Sequence, residues 1–321
     1  MAKPLVSILM PLYNAEQWVM DTIQCCLDQT YPNWELIVVD DGSTDNSCAI
    51  VGQIKEHDSR IKLFRQKNSG ACVARNTAFK HCKGDYVMYL DADDLISPDK
   101  IENQVHALSN EGPQSIAICA WEEFQATPSP TLSSRAIYKS YKNPIELLIE
   151  MWSDGSMLQT SCYLVPRNLI TSSNGWDKNI TLNDDGEFFC RIIAKASKIV
   201  FVTNSAVYYR RGHTSLSTSE VFSETKQISR LNSFISYENT ILSVTDSPRI
   251  RKVLARNYSL VATCVPPSSR LFKDALNRIK VLGVKPFHPY PQTLLGRVSA
   301  IFGFPLTMRL RHILLKLLKR S

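Results

Sequence analysis

The sequence has no apolar run as long as the roughly 18 residues that a membrane-spanning helix requires. Its N-terminal apolar segment is short and lacks a small-residue cleavage site, so it does not have the features of a secretory signal. We therefore expect neither a spanning helix nor a cleaved leader in this chain.

Zinc-site and disulfide patterns are missing as well. The nine cysteines form an odd set without a Cys-x-x-Cys pair. Such a set predicts free thiols in a reducing compartment and not a disulfide framework. The cysteines are Cys25, Cys26, Cys48, Cys72, Cys82, Cys119, Cys162, Cys190 and Cys264.

Acidic residues are absent from the end of the sequence. From Ala275 onward the chain has nine lysines or arginines and no aspartate or glutamate. The whole chain carries a net charge of +7, so this segment carries +9 and the part before it carries −2. The basic character therefore belongs to one end of the chain and does not describe the rest.

Short apolar runs alternate with helical patterns in the first third of the sequence, which predicts a parallel sheet flanked by helices. Two of the predicted strands run directly into acidic clusters. Since open α/β sheets bind ligands beyond the carboxyl ends of their strands, both clusters should face one crevice. Strands are predicted at 6–10, 36–39, 61–64, 86–90, 115–120, 161–165 and 199–209, and helices dominate beyond about 218.

Three carboxylates within four residues follow the strand at 86–90, at Asp91, Asp93 and Asp94. Burying them together is costly unless a cation neutralises them, because like charges raise each other's pKa. Oxygen ligands suit Mg²⁺ or Mn²⁺, which also bridges carboxylates to substrate phosphates. The alternative is a solvated acidic turn in which an aspartate caps the following helix.

A second acidic cluster, 40–45 (DDGSTD), ends the strand at 36–39. A carboxylate in this turn can accept the imide N–H of a uracil, while the backbone amides of the turn face polar ligand groups. The alternative is a strand-to-helix turn with Ser43 or Asp45 as its N-cap. Asp45 suits that capping role whatever Asp41 does.

These motifs resemble those of the family 2 glycosyltransferases, which have a GT-A fold. The resemblance rests on 6–14 (VSILMPLYN), 29–45 (QTYPNWELIVVDDGSTD), 68–76 (NSG followed by ARN) and 84–94 (GDYVMYLDADD), in the family's order. It implies a Rossmann-like, mixed and mainly parallel sheet flanked by helices over 1–217. Within this domain 1–98 would bind the nucleotide and 99–217 the acceptor, and a helical, basic extension would follow over 218–321.

The resemblance also implies a UDP-sugar site. Pro11, Tyr13 and Asp41 would line the nucleoside pocket, and Asp91 and Asp93 would touch the ribose or the metal. Mn²⁺ or Mg²⁺ would be held by Asp93 or Asp94, between which the sequence does not decide, with His213 as a further metal ligand. The other candidates for binding the nucleotide-sugar are Asn14, Asn68, Arg75, Ala92, Arg210 and Ser215.

The segment 183–189 (NDDGEFF) resembles the family's acidic motif at the start of a helix, and Asp185 would be its general base. This residue would take the proton from an acceptor hydroxyl as that oxygen attacks C1 from the face opposite UDP, in a single inverting displacement. The alternative is that Asp184 and Asp185 only interact favourably with the helix dipole.

The resemblance predicts transfer of a hexose or N-acetylhexosamine to a lipid-linked or lipopolysaccharide glycan at a membrane. The Gln-x-x-Arg-Trp motif of processive relatives is missing, which favours the addition of one sugar per encounter. A sugar nucleotidyltransferase is one alternative, but 11–14 lacks the Gly-rich phosphate loop of those enzymes. An inactive nucleotide-sugar-binding module is another, and the retained acidic groups argue against it.

The segment 306–320 predicts an amphipathic basic helix. Such a helix can lie in the headgroup region of an anionic bilayer, so we expect a cytoplasmic protein peripheral to the inner face of the membrane. Packing against the main domain is the alternative, and nucleic acid is not an expected partner because no recognised module accompanies the basic segment. The apolar face contains Leu306, Leu310, Ile313, Leu314, Leu317 and Leu318, and the basic face Arg309, His312, Lys316, Lys319 and Arg320.

Overall fold

The computed structural model describes residues 3–129, 131–211 and 221–318, without the side chains of residues 316 and 318. Within these residues the chain forms two compact units. The first contains the described residues of 1–147, 157–178 and 195–215. The second contains those of 148–156, 179–194 and 216–321. The domain boundary near residue 217 stays a prediction.

The described residues form strands that alternate with helices over the first third of the chain, as the sequence predicts. The strands are β1 (Val6–Leu12), β2 (Trp34–Asp40), β3 (Ile61–Arg65), β4 (Tyr86–Tyr89), β5 (Leu95–Ile96), β6 (Ser115–Phe124), β7 (Val165–Pro166) and β8 (Lys198–Arg210). The helices are α1 (Val19–Leu27), α2 (Ser47–Lys55), α3 (Ala71–His81), α4 (Lys100–Leu108), α5 (Ile145–Asp154), α6 (Arg167–Thr171), α7 (Asp184–Ile193), α8 (Glu224–Leu242), α9 (Pro248–Cys264), α10 (Arg270–Val281), α11 (Leu294–Phe302) and α12 (Phe304–Leu318).

The main sheet of the first unit has the strand order β3-β2-β1-β4-β7. Strands β1 to β4 are parallel, and the short β7 runs antiparallel to β4. The side chains of β2 are buried along the whole strand, as expected for a parallel strand covered on both faces. The mixed, mainly parallel α/β fold predicted from the sequence is therefore confirmed.

A second sheet in the same unit has the order β5-β8-β6. Strand β5 lies just after the acidic turn 91–94 and pairs with the end of β8 through Leu95 and Tyr208. This pairing brings Arg210, the last residue of β8, alongside the acidic turn.

The predicted strand at 161–165 is confirmed only at its end, where Leu164 forms a β-bridge with Ala117 and Val165 begins β7. Residues 160–162 form a single 3₁₀ turn, closed by a hydrogen bond of 2.9 Å from the Cys162 N–H to the Gln159 carbonyl. Only β7 pairs with β4, at the edge of the sheet. Pro166 has no N–H to donate to a ladder, so an apolar run containing this residue suits a short edge strand.

The second unit is helical in its described part, as predicted for the chain beyond 218. Four of its helices begin at a serine or threonine whose side-chain oxygen accepts a backbone N–H of the first turn, a common N-cap. The capping residues are Ser223, Ser247, Ser269 and Thr293, before α8, α9, α10 and α11.

Candidate functional site

The two acidic turns leave the main sheet at the same edge. Strands β2 and β4 are both parallel neighbours of β1, and the turns 40–45 and 91–94 lie at their carboxyl ends. The spacing of strands in a sheet places the ends of β2 and β4 about 10 Å apart. The carboxyl edge of a parallel sheet is where α/β proteins bind ligands, so these turns define the candidate site.

Asp41 is buried and organises a loop beside this edge. Its carboxylate accepts hydrogen bonds from the Gln66 side chain at 2.7 Å, the Ser69 N–H at 2.9 Å and the Gly70 N–H at 2.8 Å. A carboxylate offers about four lone-pair sites, so one remains for a ligand. Asn68, predicted to bind the nucleotide-sugar, is exposed on the same loop.

The segment after β1 is tied to the turn 40–45. Asn14 has a left-handed backbone, with φ of 48°, and its side-chain oxygen accepts the Thr44 N–H at 2.9 Å. Tyr13 beside it is 52% exposed, and Pro11 is half-buried at the end of β1. The structure thus brings Pro11, Tyr13, Asn14 and Asp41 to one end of the sheet, as the predicted nucleoside pocket requires.

Asp45 does not belong to this group of ligand candidates. Its carboxylate accepts the Ser47 N–H at 3.0 Å at the start of α2 and the Glu16 N–H at 3.0 Å. These bonds fix the turn to the first helical residue, but the N-cap position of α2 is Asn46, so the prediction of Asp45 as N-cap is wrong by one residue.

Asp91 is held by Arg75. The Arg75 guanidinium lies 2.8 Å from the Asp91 carboxylate and stacks over the Trp176 ring at 4.4 Å from its centroid. Arg75 is 7% exposed, while the Asp91 side chain is 28% exposed. Arg75 therefore orients a carboxylate of the acidic turn, a contact that the sequence motif alone does not show.

Asp94 points into the protein. Its carboxylate is buried and accepts the Arg210 backbone N–H at 3.0 Å. Burial, together with the charges of Asp91 and Asp93, raises the pKa of Asp94 well above its usual range. Ala92 is buried in the turn, whereas Asp93 is only half-buried.

The side chain of Arg210 contacts the backbone of the acidic turn 91–94. Its Nε donates to the Asp93 carbonyl at 2.9 Å, and its guanidinium lies between the rings of Trp18, at 4.4 Å, and Phe124, at 4.5 Å. It is 5% exposed. Its predicted contact with the nucleotide-sugar stays a prediction, and its described contacts position the acidic turn.

The acidic turn has the donor chemistry that a hard divalent cation requires. Within the described ranges, no three histidine, cysteine, aspartate or glutamate side chains are grouped so as to hold a metal by themselves. Mg²⁺ is commonly bound by only one or two carboxylates together with substrate phosphates and water. Asp93 is half-buried and lies next to the buried Asp94, so the turn can supply the one or two carboxylates that such a cation needs. The predicted ligand His213 and the predicted nucleotide-sugar contact Ser215 lie outside the described residues.

Asp185 belongs to the second unit, at the start of α7. The preceding residue, Asn183, has a left-handed backbone with φ of 65°, and its side-chain amide donates to Ser233 and to Tyr237, each at 2.8 Å. A Cβ on Gly186 would lie 2.1 Å from the Tyr237 hydroxyl oxygen, so glycine is required there. Asp185 is half-buried, with one carboxylate oxygen bonded to the Gly186 N–H at 2.7 Å.

Glu187, the third acid of this motif, has a structural role. Its buried carboxylate pairs with Arg191 at 2.6 Å and accepts the Ser236 hydroxyl at 2.6 Å. Asp184 and Asp185 remain the partly exposed acids at the helix start.

Two residues of the site were missed in the sequence. Gln66 donates a hydrogen bond to Asp41 and accepts one from the Thr77 hydroxyl at 2.8 Å. The ring of Trp176 packs against the Arg75 guanidinium. Neither lies in a motif or has a periodic signal, because each acts through a contact with residues distant along the chain.

The parallel sheet, with acidic turns after two strands adjacent to β1 and an antiparallel strand at its edge, agrees with the GT-A fold that the motif resemblance implies. Residues 7–169 match the family model described as Glycosyl transferase family 2, and the chain belongs to this family. The recognition made from the sequence motifs is confirmed.

The chain is similar to a relative from Escherichia coli, the UDP-Glc:alpha-D-GlcNAc-diphosphoundecaprenol beta-1,3-glucosyltransferase WfgD. The two are 47% identical over 102 residues, which are 32% of this chain and 40% of WfgD. The chain thus matches less than half of the length of this relative.

Two solved structures share the fold. TarS residues 1–349 from S. aureus, in complex with UDP-GlcNAc, gives a TM-score of 0.58 at 15% identity and covers 87% of this chain and 90% of that chain. The second is the mannosyltransferase PcManGT from Pyrobaculum calidifontis, in complex with GDP-Man and Mn²⁺. It gives a TM-score of 0.56 at 18% identity, and the match covers 96% of this chain and 84% of that chain.

Proposed function

We propose that this protein transfers a hexose or an N-acetylhexosamine from a UDP-sugar, with inversion, to a hydroxyl of a membrane-associated glycan in surface polysaccharide or lipopolysaccharide synthesis. The observation that carries the proposal is the pair of acidic turns, 40–45 and 91–94, at one edge of the parallel sheet. One turn suits a nucleoside and the other suits a diphosphate with its cation.

The uridine specificity rests on Asp41. Three hydrogen bonds from Gln66, Ser69 and Gly70 hold its carboxylate at the sheet edge and leave an acceptor site for a base N–H. The imide N–H of uracil is a donor of the required kind. WfgD uses UDP-Glc and TarS binds UDP-GlcNAc, which supports a UDP-sugar as the donor here.

Asp185 acts as the general base in this proposal. Its half-buried carboxylate lies at a helix start that Asn183 and Gly186 hold rigidly. It takes the proton of the acceptor hydroxyl while that oxygen bonds to C1 and the bond from C1 to the UDP oxygen breaks. A divalent cation bound at Asp93 would offset the charge that develops on the diphosphate. Mn²⁺ in PcManGT supports this part of the proposal.

The acceptor meets the enzyme at a membrane surface in this proposal. In α12 the apolar residues Leu310, Ile313, Leu314 and Leu317 are 49% to 62% exposed, and in α11 Ile301 is 76% exposed. These exposed apolar residues lie in the segment from Ala275 onward, which has a net charge of +9, and this combination suits the interface of an anionic bilayer. None of the helices described in the structure has both the length and the apolarity needed to cross a bilayer.

The alternative is that α12 packs against the main domain through these apolar residues, and their exposure does not support it. Among the residues of α12 whose side chains are described, the buried ones are Phe304, Thr307 and Met308, which lie on the other face of the helix. WfgD acts on a diphosphoundecaprenol-linked sugar, which supports a lipid-linked acceptor for this chain as well.

The proposed function is tested by measuring UDP release from UDP-glucose, UDP-galactose and their N-acetylated forms, with Mn²⁺, Mg²⁺ or EDTA, and with and without a glycolipid acceptor. We expect one donor to give release that requires both the cation and the acceptor. Formation of a UDP-sugar from UTP and a sugar phosphate would instead identify a nucleotidyltransferase. Binding of UDP-sugars without any turnover would identify an inactive binding module.

A further inference from the structure

A cavity of about 770 Å³ lies wholly within the second unit. Its walls include the apolar side chains of Phe222, Phe234, Leu260 and Leu295, and the arginines Arg230 and Arg311. We call it the arginine cavity. Its volume falls within the range of about 300–1,000 Å³ that is usual for small-molecule sites.

The two arginines converge at the C-terminal end of α9. The Arg230 Nη1 donates to the Cys264 sulfur at 3.6 Å, and the Arg311 Nη1 donates to the Thr263 carbonyl at 3.4 Å. Since Thr263 and Cys264 are neighbours, the guanidinium groups of α8 and α12 both donate to the last residues of α9.

The known contacts account for only part of the arginines' hydrogen-bonding capacity. A cation at the C-terminus of a helix interacts favourably with the helix dipole, and each arginine donates from its Nη1 to this end of α9. The Arg230 Nη1 also donates to the Gln227 side chain at 3.4 Å. A guanidinium has five N–H donors, so most remain for a ligand. In the described part of the chain neither arginine has a carboxylate within ion-pair distance, and no acidic side chain lines the cavity.

The composition of the walls therefore selects an anion with an apolar part. A guanidinium group binds phosphate oxygens through parallel N–H donors, and a diphosphate has enough oxygens to accept hydrogen bonds from both arginines. The aromatic and aliphatic part of the wall suits a hydrocarbon chain, while Asn183, His288 and Thr293 make other parts of the lining polar.

The cavity also lies next to the proposed base. Leu182 and Asn183 form part of its wall, and Asp185 follows Asn183 by two residues. Their Cα atoms are therefore at most about 7.6 Å apart. A sugar attached to a phosphate group in the cavity would extend over a distance of this order and bring a hydroxyl to Asp185.

We propose that the arginine cavity binds the diphosphate and the adjoining hydrocarbon of the acceptor lipid, a diphosphate ester of a long-chain alcohol. Arg230 and Arg311 are then acceptor-binding residues that set the specificity for a lipid-linked sugar. This proposal rests on the proposed function, since it assigns the part of the acceptor that is not the reacting sugar.

Binding to the full chain is measured with farnesyl diphosphate below its micelle concentration, with farnesol and with inorganic pyrophosphate. EDTA is present so that no cation-dependent diphosphate site contributes. The variants are Arg230→Gln, Arg311→Gln and their combination, and the matched control is Arg270→Gln, an exposed arginine of α10 that does not line the cavity. Thermal unfolding checks that each variant is folded.

We expect the double variant to bind farnesyl diphosphate at least 10-fold more weakly than the wild type, and the control to match the wild type. Farnesol and pyrophosphate should each bind more weakly than farnesyl diphosphate. Equal affinities for the double variant and the control would overturn the proposal. Pyrophosphate binding as tight as that of farnesyl diphosphate would identify a free-anion site and also overturn it.

A kinetic arm separates this proposal from the proposed function. With a diphosphate-lipid acceptor the double variant should raise KM at least 10-fold, while an alkyl glycoside without phosphate should react equally with variant and wild type. Arginine-dependent binding without sugar transfer from any UDP-sugar would reject the proposed function and leave the ligand class standing. Sugar transfer with no effect of the arginines on KM would reject the cavity proposal alone.

Discussion

The carboxylate of Asp94 accepts a hydrogen bond of 3.0 Å from the backbone N–H of Arg210, 116 residues further along the chain. This contact directs Asp94 into the protein, whereas Asp91, which is paired with Arg75, and Asp93 stay half-buried. Because a cation that also binds a substrate diphosphate needs an accessible carboxylate, we expect Asp93 to be the direct ligand and Asp94 to shape the turn.

The first prediction separates these two roles. Asp93→Asn should abolish Mn²⁺-dependent UDP release and leave the melting temperature unchanged, because an amide of the same shape removes only the charge. Asp94→Ala should reduce the free energy of unfolding by about 1–3 kcal/mol, because it leaves the buried Arg210 N–H without its acceptor. Calorimetry and a UDP-release assay measure both effects. Full activity of the Asp93 variant would contradict the assignment.

The second prediction concerns Asp185. Asp185→Asn should retain the affinity for the UDP-sugar and lose transfer by about 10²- to 10⁴-fold, because the amide cannot accept the hydroxyl proton. Asp184→Asn, the neighbouring half-buried acid, is the matched control and should lose much less activity. The product of the wild-type enzyme should have the opposite anomeric configuration to the donor, which NMR establishes. Retention of configuration would exclude a single displacement.

The third prediction concerns the loop that Asp41 organises. Asp41→Asn should weaken UDP binding by about 10-fold or more, because an amide disrupts the acceptance of N–H groups from Ser69 and Gly70. Asp45→Asn, in the same turn, should lower stability through its bonds to the Ser47 and Glu16 N–H groups and leave the affinity for UDP unchanged. Titration calorimetry with UDP distinguishes the two variants, and equal effects on affinity would argue against a nucleoside contact of Asp41.

The fourth prediction is a dependence of stability on pH through Glu35 in β2. Burial tends to raise the pKa of its carboxyl, but hydrogen bonds from Lys62 and Ser7, each at 2.7 Å, and from the Lys83 N–H at 2.6 Å outweigh burial and lower it. A lowered folded-state pKa gives stability above the unfolded value of about 4.3 that is lost as the pH falls through the folded value.

Glu35→Gln should therefore reduce the free energy of unfolding by roughly 1–2 kcal/mol at pH 7, with a smaller difference at pH 3. Urea unfolding of the two proteins at both pH values measures this. A difference that is the same at pH 3 and pH 7 would show that the charge of Glu35 contributes nothing.

The fifth prediction tests the exposed apolar face of α12. Ile313→Glu combined with Leu317→Glu should release the protein from anionic liposomes without lowering its melting temperature, because both side chains are more than half exposed. Val281→Glu, at an exposed apolar position on α10, is the matched control and should bind like the wild type. Binding should also weaken with salt, since screening reduces the attraction of basic groups to anionic lipid. Unchanged liposome binding by the double variant would rule out this face as the membrane contact.

Local patterns in the sequence determined most of the first unit. The apolar runs of β1, β2 and β4 and the acids at 40–45 and 91–94 lie within short stretches of chain, so strand positions and the edge of the sheet follow from periodicity and topology. The GT-A class and the family follow from the same segments. Composition likewise identified the basic end of the chain, because that property needs no knowledge of contacts.

Tertiary structure decided which member of each cluster is accessible. Asp93 and Asp94 are adjacent and chemically identical, and only the approach of β8 with Arg210 buries one of them. The leucines of α12 were identifiable as a face, but their exposure depends on Phe304 and Met308 packing in their place. The arginine cavity depends on α8, α9 and α12 meeting at Thr263 and Cys264. Contacts between residues far apart in the chain leave no local period, so only the folded structure shows them.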